Sequence, residues 1–85
     1  MTVHIPSALR SYTHKSDVEV QGQTLAEILS TLDQRYPGLR FRIVTEQDAI
    51  RPHIRIFVNG EQAPHLAVPI EPGDHIYIVC ALSGG

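Results

Sequence analysis

Residues 24–36 read TLAEILSTLDQRY and run into Pro37-Gly38, and this stretch decides the architecture. Leu25, Ile28, Leu29, Leu32 and Tyr36 recur at i, i+3, i+4, i+7 and i+11, which places them on one stripe of a helix. Thr24 followed three residues later by Glu27 is a capping box, in which each side chain serves an amide that the first turn leaves unpaired. Pro37-Gly38 ends the run, because proline cannot continue a helix and glycine readily takes the left-handed conformation that closes one. A helix with a single apolar stripe needs a second apolar layer to bury it.

The flanks supply that layer in period two. Residues 2–5 alternate Thr2, Val3, His4, Ile5 before Pro6, and Asp17 to Gln21 alternates with Val18 and Val20 on one face. Together they predict an N-terminal hairpin, with Leu9 and Tyr12 as anchors in the polar stretch between. Beyond the helix, Leu39 to Pro52 is irregular to the eye, with apolar Phe41, Ile43 and Val44 and a surface loop over 45–48. Ile54–Val58 reads as a strand, and Asn59-Gly60 is a tight-turn signal, since both residue types accept positive φ. A short return over 61–63 follows, then 66–70, a turn at Glu71-Pro72-Gly73-Asp74, and a last strand over 75–81. The order β-β-α-β-(short β)-β, with one main helix on one face of a mixed sheet, is α+β and has the arrangement of a β-grasp, with another α+β roll as the alternative that periodicity leaves open. Residues 1–81 form the single domain and 82–85 a C-terminal tail. The expected core sets the helical stripe against Val3, Ile5, Val18, Val20, Ile54, Ile56, Val58, Ile76 and Ile78.

Composition narrows the function. Eighty-five residues allow one core and no deep pocket. A formal charge of −2, with the seven Lys and Arg scattered along the sequence, gives no footprint for nucleic acid. The one cysteine, Cys80, excludes an internal disulfide and a cysteine zinc site. No apolar run reaches the length of a membrane span and no leader pattern opens the chain, so the expected location is cytoplasmic. The five histidines show no ligand spacing and are expected at the surface. Cys80, on the inward side of the last strand, is expected to be buried and inert. No pattern argues for hydrolysis.

Strand parity also picks out a surface. With Ile76, Ile78 and Cys80 inward, Tyr77 and Val79 point outward, and on the neighbouring strand so do Arg55 and Phe57. Phe57, Tyr77 and Val79, rimmed by Arg55 and His75, then form an apolar patch where a half-covered sheet normally shows polar residues. Such a patch is a docking face for a partner, or else it is covered by Leu66 or Val68 from the adjacent loop.

Several landmarks resemble the ubiquitin-like sulfur carriers: Ile5-Pro6, Thr24-Leu25 opening the helix, Val58-Asn59-Gly60, Glu71-Pro72-Gly73-Asp74, and Gly84-Gly85 as the last two residues. This group includes the small subunit of molybdopterin synthase, the thiamine-pathway carrier and the carrier of a cysteine biosynthetic route. Length favours the molybdopterin and cysteine-route types over the shorter thiamine carriers, and the segments 5–10 and 55–59 look most like the cysteine-route type. Val79-Cys80-Ala81 and Leu82-Ser83 depart from the prolines and the Val-Ala usual in the molybdopterin subunit. The resemblance implies that an E1-like enzyme adenylates the Gly85 carboxylate using ATP. A sulfur donor then displaces AMP, and the thiocarboxylate passes sulfide to a downstream sulfur-accepting biosynthetic enzyme. Leu82, Ser83 and Gly84 form the threading tail, and glycine suits a narrow channel because it has no Cβ. The chain itself is implied to bind no cofactor, to hold no metal and to be a co-substrate rather than an enzyme. The alternatives are the molybdopterin synthase small subunit, a ubiquitin-like modifier forming isopeptide bonds through Gly85, and a plain β-grasp binding module.

Overall fold

A computed structural model of the chain describes residues 1–80. Its strands are β1 (Thr2–His4), β2 (Asp17–Glu19), β3 (Ile54–Val58), β4 (Glu61–Gln62) and β5 (His75–Cys80). They form one mixed sheet in the order β2-β1-β5-β3-β4. β1 runs antiparallel to β2 and parallel to β5, and β5 is antiparallel to β3. The last strand thus sits at the centre of the sheet, between the first strand and the β3-β4 hairpin. This is the expected α+β β-grasp.

The helices are α1 (Arg10–Thr13), preceded by a 3-10 turn at Ser7–Leu9, then α2 (Leu25–Arg35) and α3 (Leu39–Ile43). α2 is the helix read from the sequence. Its cap holds as expected, with the Glu27 amide donating to Thr24 Oγ1 at 3.3 Å. The return bond lands one residue earlier than a capping box requires, on the Gln23 amide at 3.0 Å. Leu25 and Ala26 donate their first-turn amides to the carbonyls of Val68 and Leu66 at 3.0 and 2.9 Å. The 66–70 segment therefore lies against the helix N-terminus, and neither Leu66 nor Val68 covers the open sheet face.

α3 corrects the irregular reading of 39–52. It makes little more than one turn, too short for a period to register, yet it buries Leu39 and Ile43 at i and i+4. Gly38 takes φ 94° to turn the chain, and Asp33 Oδ1 accepts from the amides of Gly38 and Arg40, both at 3.1 Å. One carboxylate therefore closes α2 and opens α3.

The expected core is buried with two exceptions, Val58 and Tyr36, which are half-buried. Leu9, Leu39, Ile43, Val44, Ala63, Leu66 and Ile70 join it from loops and short helices. Among the described residues no helix is long and apolar enough to cross a membrane.

The Asn59-Gly60 turn has φ 51° and 90°, both positive, as the dipeptide predicts. Asn59 also ties this turn to the next one. Its Nδ2 donates to Asp74 Oδ1 at 2.8 Å, and its Oδ1 accepts from the His75 amide at 2.9 Å. Asp74 Oδ2 accepts from the Glu71 amide at 2.9 Å. These bonds, the Glu71 amide first and Asn59 second, hold the Asp74 carboxyl below its ordinary value of 3.8. A lowered folded pKa means stability that is present above the ordinary value and lost as pH falls through the folded one. Asp74→Asn is expected to lower the urea midpoint at pH 7 and to leave a shallower decline between pH 5 and 2 than the wild type shows. Parallel acid titrations of the two proteins would refute the coupling.

Candidate functional site

The uncovered face of the sheet carries the outward side chains of all the long strands. In the β3–β5 ladder Phe57 lies opposite Tyr77 and Arg55 opposite Val79, so the four residues picked from parity share one face. Tyr77 and Val79 are 43% and 42% exposed, Arg55 is exposed and Phe57 is half-buried among its neighbours. On the opposite parity Ile56 and Ile78 are buried. An exposed tyrosine–valine pair beside a phenylalanine is an apolar surface of the kind that docks a partner.

The β1 side of this patch holds a constellation that sequence reading missed. Parallel pairing sets Thr2 opposite His75 and His4 opposite Tyr77. The His4 and Tyr77 rings stack, with centroids 4.1 Å apart and planes 8° off parallel. His4 Nδ1 lies 2.9 Å from Asp17 Oδ1, and His4 Nε2 lies 3.1 Å from His75 Nδ1. A carboxylate only accepts, so His4 donates from Nδ1, and a neutral His4 then accepts the His75 Nδ1–H at Nε2. The donor–acceptor chain runs His75 to His4 to Asp17 across three strands and fixes both imidazoles beside the patch. A search for close spacing could not find residues 71 positions apart. The outward parity of His4 and the neighbouring of first and last strands in a β-grasp were the available signals.

Cys80 ends β5 opposite Ile54. It is half-buried rather than fully buried, and burial pushes its thiol up, with the Arg42 charge opposing. A raised thiol holds less thiolate and is a poorer nucleophile. Among the described residues no group of three or more His, Cys, Asp or Glu could hold a metal ion. Ala81 and the tail residues Leu82, Ser83, Gly84 and Gly85 lie outside the described residues, as does the boundary between domain and tail.

Comparison with known proteins bears on the family and the fold. The ThiS family model matches residues 3–85. The sulfur carrier protein CysO of Mycobacterium tuberculosis is 33% identical over 91 residues, covering 100% of this chain and 98% of the relative. Small archaeal modifier protein 3 of Haloferax volcanii is 29% identical over 65 residues, covering 73% of this chain and 70% of the relative. The crystal structure of the Amycolatopsis orientalis BexX/CysO complex superposes with a TM-score of 0.91 at 33% identity, covering 99% of this chain and 98% of that one. By a family match along almost its entire length and by a fold shared throughout, this chain is a member of the ThiS family of ubiquitin-like sulfur carriers.

Proposed function

We propose that this chain is a sulfur carrier for a cysteine-type biosynthetic route, loaded as a thiocarboxylate at Gly85. The observation that carries the reading is the whole-length match to a sulfur carrier protein. In the loading reaction the Gly85 carboxylate attacks the α-phosphorus of ATP, giving an acyl adenylate and releasing pyrophosphate. A sulfur nucleophile then displaces AMP and leaves the C–S bond. An E1-like partner supplies the nucleotide site and the sulfur donor, and a downstream enzyme accepts the sulfur. The carrier contributes a carboxylate and a docking face, Phe57, Tyr77, Val79 and Arg55, and no catalytic group. The BexX/CysO complex supports the idea that a carrier of this kind works against a second protein.

The test is direct. Incubated with ATP, a cognate E1-like enzyme and a sulfide source, the chain is expected to gain the mass of one oxygen exchanged for sulfur, mapping to Gly85. Cys80→Ser is expected to load to the same extent, because its half-buried, raised thiol is ill suited to carry sulfur. A persulfide on Cys80 with an unmodified Gly85 would sink the reading. A second reading, protein modification through Gly85, draws on the archaeal modifier match, which covers less of the chain at lower identity. Loss of the Gly85 mass change in favour of lysine-linked conjugates would select it.

A further inference from the structure

Besides the apolar face, the described residues expose a second surface, and this one is cationic. A cleft of about 200 Å³ is lined by Phe41, Arg42, Arg51 and His53. Phe41 is 56% exposed, more than any other large apolar side chain among the described residues. The Arg51 guanidinium lies 4.7 Å from the centre of its ring, and Arg51 Nε donates to the Phe41 carbonyl at 2.7 Å. These contacts pin a guanidinium over an aromatic face without neutralising it.

The charge here is local and unbalanced. Although the chain as a whole is acidic, four of its seven basic residues fall between 40 and 55, against two of its nine acids. Those two acids do little for the cleft. Asp48 pairs with Arg40 at 2.6 Å, and neither Arg42 nor Arg51 has a carboxylate within ion-pair distance among the described residues. Arg55, on the docking face, turns its Nη1 to the Pro52 carbonyl at 2.6 Å. The basic residues that read as scattered are thus brought together by the fold. They line a surface that continues from Arg51 to Arg55, since both line one neighbouring groove.

Position says what must approach this surface. His53 precedes Ile54, which pairs with Cys80 at the end of β5, and the Arg42 charge is felt at the Cys80 thiol. The cleft therefore stands at the root of the tail. Gly85 is the fifth residue after Cys80, a reach of at most about 18 Å even fully extended. Any enzyme that reacts with the Gly85 carboxyl must bring its own surface within that distance of the cleft.

We propose that the Phe41–Arg42–Arg51–His53 cleft seats an acidic segment of the enzyme that takes up the tail, with Phe41 packing against an apolar residue of that segment. This rests on the carrier reading and adds a second point of contact to it, an electrostatic one at the tail root. Two unneutralised arginines in a partly screened cleft draw carboxylates from a partner more strongly than surface arginines that already hold acids of their own. The two contacts divide the work: the apolar face holds the complex, and the basic cleft speeds encounter and orients the tail.

The experiment measures loading of the full chain by its E1-like enzyme as a function of carrier concentration and ionic strength. Arg42→Glu is expected to raise the KM for the carrier about tenfold with kcat unchanged, because it sets like charges against one another before chemistry begins. The double variant Arg42→Glu/Arg51→Glu is expected to raise it further and to flatten the rise of KM with salt seen for wild type. Arg51 braces the Phe41 carbonyl, so melting temperatures are compared, and the solvent-exposed Arg42 variant stands alone if the double variant is unstable. Unchanged KM in Arg42→Glu, or equal salt dependence in variant and wild type, overturns the proposal while wild-type loading upholds the carrier reading. Failure of the wild type to load overturns both. Inorganic phosphate alone at low millimolar concentration is the control: saturable NMR shifts confined to Arg42, Arg51 and His53, with KM unaffected by the substitutions, would make the cleft a small-anion site and overturn the protein partner.

Discussion

Deleting Gly85, or replacing Gly84 by valine, is expected to abolish thiocarboxylate loading and to leave the melting temperature where it was. Every buried apolar side chain among the described residues lies at Ile78 or earlier, and glycine has no side chain to bury. The proposed loading chemistry depends on them wholly. Deletion moves the carboxylate back by about 3.5 Å, and misplacement of reacting atoms by even 1 Å lowers a rate about a hundredfold. The valine variant keeps the carboxylate but adds a branched side chain to the tail that, on the proposed reading, threads into the activating enzyme. Loading is read by intact-mass spectrometry and folding by circular dichroism. A form extended beyond Gly85 is expected to stay unloaded as well. Its loading without prior trimming by a protease would refute the assignment of Gly85 as the carrier atom's home.

Ile56→Asp and Tyr77→Asp are expected to separate folding from docking, although the two residues sit on adjacent strands of one sheet. Ile56 is 0% exposed and faces Ile78 across the ladder. An unpaired carboxylate there costs several kcal/mol. Against a total stability on the order of 5–10 kcal/mol for a domain of this size, that is enough to unfold it. Tyr77 points to solvent on the other parity, and its replacement gives up the stack on His4 but opens no cavity. Tyr77→Asp is therefore expected to fold with a melting temperature within a few degrees of wild type. It should bind the proposed E1-like partner some thirtyfold more weakly, about 2 kcal/mol, as a central aromatic anchor does. Calorimetric titration against the partner checks the second half. Undiminished binding by Tyr77→Asp would move the docking surface elsewhere.

The sequence by itself determined whatever local periodicity and turn chemistry encode. The 3.6-residue stripe from Leu25 to Tyr36, the Thr24 cap, the strand Ile54–Val58 and the positive-φ turn at Asn59-Gly60 were legible because each depends on neighbours a few residues away. Strand parity went further. It separated Ile56 and Ile78 from Phe57, Tyr77 and Val79 before any pairing was known, because side chains alternate along a strand regardless of its partners. The landmarks from Ile5-Pro6 to the terminal glycines carried the family, and the whole-length match agrees. Tertiary structure decided the rest. α3 is too short to leave a period and forms because Asp33 and the core beneath Leu39 and Ile43 hold it. The first-turn amides of α2 find the carbonyls of Leu66 and Val68, some forty residues away. Only the parallel register of the first and last strands could set His4 against Tyr77 and His75. Likewise only the fold brings Arg42 of α3 beside Arg51 and His53, which lead into β3. Such contacts are not written in local spacing, because the sheet order that joins them is set by burying apolar faces, not by the polar residues that the burial leaves side by side.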